Sequence, residues 1–76
     1  MTRKNDEAKI LFEARTRLGL TQQQVANKAR IHLNQYQRFE SGERNLSSSS
    51  FWTAGKILEA LELDLTVFMR GDYERK

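Results

Sequence analysis

Apolar residues in this chain recur every three or four positions, in short stretches separated by polar or glycine-containing segments. That spacing places them on one face of an α-helix, whereas a strand would show strict alternation, which is absent. The first apolar stripe consists of Ile10, Leu11, Ala14 and Leu18. It predicts a helix over residues 6–18 that Gly19 ends. Because the sequence also contains no proline, we predict an all-α fold.

The segment from residue 21 to residue 42 contains two short helices joined by a tight turn. Thr21 followed by Gln24 has the spacing of a capping box, which predicts a second helix that begins after Thr21 and ends near Ala29. A third helix is expected over residues 33–40, with Gly42 after its end. Its polar positions are Asn34, Gln35, Gln37 and Arg38, and its apolar pair is Tyr36 and Phe39. The major groove of DNA admits a short polar helix supported by another, so this segment indicates a helix-turn-helix.

A fourth helix is predicted after the serine-rich loop GERNLSSSS at residues 42–50. Serine favours turns and helix caps, so we expect Ser49 or Ser50 to cap a helix that runs to about Leu61. Its predicted core-facing residues are Phe51, Ala54, Ile57, Leu58 and Leu61. Gly55 is unfavourable inside a helix, so we interpret it as a point where another helix approaches closely.

A short fifth helix is predicted over residues 65–70, with Asp64 as its N-cap and Gly71 after its end. The expected architecture is therefore a compact bundle of five short helices containing a helix-turn-helix. A chain of 76 residues has the length of one domain. We expect that domain to span residues 1–76, with its core at about 6–70 and a tail at 71–76.

The formal net charge of +3 is only mildly basic, but its distribution is uneven. Residues 1–30 contain seven Lys or Arg against three Asp or Glu, which concentrates positive charge towards the half with the helix-turn-helix. The absence of cysteine excludes disulfides and fits a reducing cytoplasm. No apolar run approaches the ~20 residues needed to span a bilayer, and the first residues lack a signal segment. We expect a cytoplasmic protein that does not associate with membranes.

Catalysis is not indicated by the residue types present. His32 is the only histidine and there is no cysteine, so a histidine-centred catalytic group or a multi-histidine metal site has little to use. No glycine-rich phosphate loop occurs. We expect no enzyme activity, no metal and no cofactor.

Three motifs fall in a familiar order along the chain: RxxLGLTQQQVA at residues 15–26, FExG at 39–42 and ILEALELDLTVF at 57–68. In this combination the chain resembles the lambda-repressor-like helix-turn-helix family (XRE, or Cro/cI type). The resemblance implies a five-helix bundle whose third helix is the recognition helix. It also implies a sequence-specific, double-stranded-DNA-binding transcriptional regulator.

The resemblance assigns roles to individual positions. The implied base-facing residues are His32, Leu33, Asn34 and Arg38. The resemblance assigns contacts to the DNA backbone to Gln22, Ser41 and Arg44, and we expect Lys28 and Arg30 to add further phosphate contacts. Gln22 would also brace the recognition helix, and Arg15 and Glu40 match a structural ion pair. Arg30 stands where the family often has glycine, at a turn position that favours a positive φ.

Several residues have two interpretations. Tyr36 and Phe39 suit the core better than stacking on bases. Trp52 lies beside the apolar stripe of the fourth helix, and it is either a partly exposed residue or an anchor in a dimer interface. Phe68 and Met69 either belong to the same interface or pack in the core.

Because one recognition helix touches only about four or five base pairs, we expect a homodimer that reads an inverted repeat. The competing hypothesis is a protein-interaction module, for example of the antitoxin type, with weak or no DNA binding. Leu33 and Trp52 favour that alternative, which would add a protein partner.

Overall fold

The computed structural model describes residues 4–70, and these form five α-helices and one 3₁₀ turn, with no strand among them. The helices are α1 (Lys4–Leu18), α2 (Gln22–Ala29), α3 (Leu33–Ser41), α4 (Phe51–Ala60) and α5 (Leu65–Arg70). The 3₁₀ turn covers Leu46–Ser48 in the serine-rich loop and was not predicted. The all-α class is confirmed. The predicted tail at 71–76, including Gly71, lies outside the described residues.

Side-chain caps begin three of the helices at the predicted places. The Thr21 hydroxyl accepts from the backbone N–H of Gln24 at 3.1 Å, and the Gln24 side chain accepts from the N–H of Thr21 at 2.8 Å. Ser50, rather than Ser49, caps α4. Asp64 accepts from the N–H of Thr66 at 2.8 Å at the start of α5. Each such cap contributes about 1 kcal/mol by satisfying an N–H that has no partner within its helix.

The turn between α2 and α3 depends on a left-handed residue. Arg30 has φ 60° and ψ 45°, and the N–H of Ile31 donates to the carbonyl of Ala26 at 3.0 Å. An L-residue with a side chain adopts this conformation at a modest cost in strain. Gly42 ends α3 in the same region, at φ 88°, where glycine is free of that cost.

The core lies where α2 packs against α3 and α4, while α1 packs against α3. The largest fully buried side chains are Leu11, Val25, Tyr36, Phe39, Leu46, Ile57, Leu58 and Leu61. Tyr36 and Phe39 therefore belong to the core, which removes them as base-stacking candidates. Because the inner side of α3 is occupied in this way, its opposite side faces solvent.

Two predictions for α4 are wrong. Phe51 was expected in the core but is 67% exposed. It is the first residue of α4, and Leu46 of the 3₁₀ turn fills the core instead. Gly55 does not mark a close helix approach, since a Cβ built there would meet nothing within 4 Å.

Candidate nucleic-acid interface

The exposed side of α3 carries most of the residues expected to read bases. Asn34 and Arg38 are exposed and lie one helical turn apart. His32 is the N-cap residue and makes no side-chain capping bond, while Leu33 is half-buried. The structure thus brings the predicted base-facing residues together along one short helix, with only part of Leu33 available for contact.

Arg38 is only weakly engaged within the protein. Its Nε lies 4.0 Å from a carboxylate oxygen of Glu43, and both side chains are more than half exposed. An exposed pair at that distance contributes little to stability. The guanidinium is therefore free to exchange Glu43 for a stronger acceptor.

A partly buried ion pair connects the end of α3 to α1. Arg15 of α1 donates from Nε to Glu40 Oε2 at 2.8 Å and from Nη2 to Glu40 Oε1 at 3.0 Å, so the contact is bidentate. The Arg15 and Glu40 side chains are 16% and 6% exposed. Arg15 also donates to the carbonyl of Leu20 at 3.0 Å. The ion pair expected from the resemblance is present and links α1 to the end of α3.

Glu40 accepts two further hydrogen bonds. Tyr36 donates its hydroxyl to Oε2 at 2.7 Å, and Gln22 of α2 donates Nε2 to Oε1 at 2.6 Å. Gln37 in turn donates Nε2 to Gln22 Oε1 at 3.2 Å. These residues, Arg15, Gln22, Tyr36, Gln37 and Glu40, are called the Glu40 network below. Together they connect α1, α2 and α3.

The Glu40 network keeps its carboxylate ionised. Burial by itself favours the protonated form of Glu40, but hydrogen bonds from Arg15, Tyr36 and Gln22 outweigh it and hold the pKa of Glu40 below its ordinary value. Burial, together with the hydrogen bond to Glu40, raises the pKa of Tyr36. Tyr36 therefore stays a hydrogen-bond donor and Glu40 stays an acceptor.

Two members of the network were missed in the sequence. Tyr36 was assigned to the core for its ring, and its hydroxyl was not considered. Its position four residues before Glu40 was the available signal, since residues at that spacing share a helix face. Gln37 was identified only as a polar position of the third helix, and its bond to α2 depends on the packing of two helices, which no local pattern reveals.

The residues expected at the DNA backbone lie near both ends of α3. Lys28 and Arg30 are exposed before it and share a groove with Lys56 and Glu59 of α4. After it, the Ser41 hydroxyl bonds to backbone groups of its own turn. The guanidinium carbon of Arg44 lies 5.9 Å from the centre of the Phe39 ring. A helix of nine residues rises roughly 13 Å at ~1.5 Å per residue, comparable to the ~12 Å width of the major groove.

A helix-turn-helix family model matches residues 11–68, which include all of α2, α3 and α4. The chain belongs to the lambda-repressor-like helix-turn-helix family. Members of this XRE type are DNA-binding regulators, and the protein is therefore a regulator of that class. No curated protein and no solved structure matches the chain.

This member of the lambda-repressor-like family carries an exposed aromatic pair at the start of α4. Phe51 and Trp52 are 67% and 74% exposed, and their rings meet edge to face at 5.7 Å. Phe68 is 9% exposed and closes the bundle, so it is no surface anchor. The side chain of Met69 lies outside the described residues. Trp52 is thus the expected interface residue that the structure leaves most accessible.

Within residues 4–70 no helix is both long and apolar enough to cross a membrane. In the same part of the chain no group of three or more His, Cys, Asp or Glu side chains is placed to hold a metal ion.

Proposed function

We propose that the protein is a homodimeric transcription regulator that reads an inverted repeat in double-stranded DNA through α3. The observation that carries the proposal is the exposed polar side of α3, held in place by the Glu40 network beneath it. Sequence preference requires a reading helix of defined orientation, and directional hydrogen bonds to two other helices supply it.

Base reading is assigned to four residues near the start and middle of α3. Arg38 matches the O6 and N7 acceptors of guanine, and Asn34 matches the N6 donor and N7 acceptor of adenine. The accessible part of Leu33 suits a thymine methyl group. His32, the N-cap residue of α3, makes no side-chain capping bond and is assigned to a phosphate or a base edge.

Contacts to phosphates set register and much of the affinity. They are assigned to Gln22, Lys28, Arg30, Ser41 and Arg44. Such contacts carry no base preference of their own, but they make binding sensitive to salt.

Dimerisation doubles the length of DNA that is read. Two copies related by a twofold axis would present their recognition helices to half-sites ~34 Å apart, on one side of the duplex. Trp52 is assigned to the contact between copies, with Met69 as a further candidate from the sequence. Tryptophan is enriched in interface hot spots, and Trp52 is largely exposed in the single chain.

The test is selection of binding sites from a random duplex pool at ~0.15 M salt, where specific and non-specific binding separate. The wild-type protein, Arg38→Ala and Arg17→Ala are selected in parallel. We expect an enriched inverted repeat in which Arg38→Ala loses ~1–3 kcal/mol at one base pair per half-site. Arg17→Ala removes the same charge from an exposed position on α1 and is the control.

A second candidate function is supported by the exposed aromatic pair. On that hypothesis the fold is a protein-interaction module, and Leu33 with Trp52 contacts a protein partner. The same selection separates the two: an unenriched pool with only weak, salt-sensitive binding would favour the interaction module, and an enriched repeat would favour the regulator.

A further inference from the structure

Gln37 lies on the same exposed side of α3 as the residues assigned to base reading. It follows Asn34 by three positions and precedes Arg38 by one, which places all three on the solvent side of the helix. Unlike Asn34, its side chain is tied to another helix, through the 3.2 Å bond from Gln37 Nε2 to Gln22 Oε1.

The direction of that bond is imposed by Glu40. An ionised carboxylate only accepts hydrogen bonds, so Gln22 must turn its Nε2 towards Glu40 Oε1, where the two atoms are 2.6 Å apart. The amide oxygen of Gln22 then faces Gln37. A reversed Gln37 would bring two carbonyl oxygens together, so Gln37 must present an N–H to Gln22.

This arrangement leaves a defined set of groups on Gln37. A glutamine amide has two N–H groups and one carbonyl oxygen. One N–H is used by Gln22, so the other N–H and the oxygen remain available on the exposed side of α3. That pair of groups matches adenine, whose N7 accepts and whose N6 amine donates in the major groove.

We propose that Gln37 is a specificity-determining residue that reads adenine, and that Gln22 and Glu40 hold it in the reading orientation. The inference rests on the proposed function, since it assumes that α3 enters the major groove. Fixing a long side chain before DNA arrives reduces the conformational freedom lost on binding. Gln22 is then a positioning residue for Gln37, in addition to its expected phosphate contact.

The experiment extends the site selection to Gln37→Ala, Gln22→Ala and Gln23→Ala. Gln23 is a matched control, because it is an exposed glutamine on α2 whose side chain bonds to Asn27 of its own helix. We expect Gln37→Ala to reduce the preference for adenine about tenfold at one base pair per half-site. That base pair is distinct from the one affected by Arg38→Ala. Gln22→Ala is expected to weaken preference at that same pair, and Gln23→Ala to leave it unchanged.

Two further variants sharpen the assignment. If Gln22 acts through Gln37, the double variant Gln22→Ala with Gln37→Ala loses no more preference at that pair than Gln37→Ala alone. Gln37→Glu lacks both the N–H for adenine N7 and the N–H that bonds to Gln22, so the preference for adenine at that pair is expected to be lost as it is in Gln37→Ala.

The outcomes separate this inference from the function on which it rests. An enriched repeat that changes with Arg38→Ala but not with Gln37→Ala overturns the role of Gln37 and leaves the regulator standing. Equal losses from Gln22→Ala and Gln23→Ala overturn the positioning role. No enrichment by the wild-type protein overturns both proposals. Because Gln37 is exposed, we expect Gln37→Ala to stay folded. The thermal midpoint of unfolding of the variant checks this.

Discussion

One region of this small bundle buries a charged side chain, whereas another exposes two large apolar side chains. Beneath α3, the polar group of Glu40 is largely buried and accepts hydrogen bonds from three other residues. At the start of α4, Phe51 and Trp52 are large and apolar, yet they are mostly exposed and contact each other. The first region gains its order within the chain. The second leaves apolar side chains exposed to solvent, so the residues that stabilise the bundle differ from those that expose apolar surface.

The largest effect is expected from the buried side. Glu40→Gln removes the charge that pairs with Arg15 and replaces one acceptor oxygen with an amide donor, which then faces the donor of either Gln22 or Tyr36. Leaving a partly buried arginine unpaired is expected to lower the free energy of unfolding by about 3 kcal/mol, measured by urea denaturation at neutral pH. Glu43→Gln is the control, because its pair with Arg38 is exposed and contributes ~0.5 kcal/mol or less. Equal losses from the two variants would show that the network does not stabilise the fold.

Acid sharpens the same comparison. The pKa of Glu40 in the folded chain lies below its ordinary value of 4.5, so the unfolded chain takes up the proton first as the pH falls. The stability that Glu40 contributes is complete above that ordinary value and is lost as the pH falls through the folded pKa. The unfolding free energies of wild type and Glu40→Gln should therefore converge in acid. A constant difference from neutral pH down through that range would contradict this assignment.

The exposed side should respond in self-association. Trp52→Ala removes no core contact, so we expect the free energy of unfolding of the isolated chain to change by less than about 0.5 kcal/mol. If Trp52 anchors the dimer, the same change weakens self-association by about 2 kcal/mol, measured by analytical ultracentrifugation. Phe12→Ala is the control, as another exposed aromatic residue, 49% exposed on α1. An unaltered dimer after Trp52→Ala would move the interface elsewhere.

The smallest effect concerns the turn that joins the two helices of the motif. Arg30→Gly is expected to raise the free energy of unfolding by up to about 1 kcal/mol, because glycine adopts the left-handed conformation without strain. If Arg30 meets a phosphate, the same change makes the salt dependence of DNA binding shallower by about one unit of slope. Lys28→Ala should reproduce the shallower slope without the gain in stability. A slope that stays as steep in both variants would remove them from the backbone contacts.

Prediction from the sequence succeeded where the deciding interactions are local. Thr21 caps α2 through Gln24, three residues away, and both partners lie in one short motif. It failed where packing between helices decides. Phe51 has the spacing of a core residue, but Leu46 occupies the core from a 3₁₀ turn that no pattern indicated. The bond from Gln37 to Gln22 joins residues 15 positions apart and follows only from the way α2 and α3 pack.

The candidate site shows the same division. The resemblance supplied the pairing of Arg15 with Glu40, and the structure contains it. The exposed positions on α3 followed from helical spacing. The candidate interface residues did not follow from spacing: Phe68 is buried in the core cluster, and its burial depends on the packing of distant residues around it.

The separation between the Glu40 network and the outer side of α3 bears on how such a regulator diverges. Asn34 and Arg38 are exposed and make no close hydrogen bond with the rest of the bundle in the described residues, so we expect that exchanging them leaves the fold intact. Gln37 is more constrained, because its amide donates a hydrogen bond to Gln22, which in turn donates one to Glu40. On the proposed function, Asn34 and Arg38 can therefore change during divergence independently of the fold, whereas a change at Gln37 also affects its bond to Gln22.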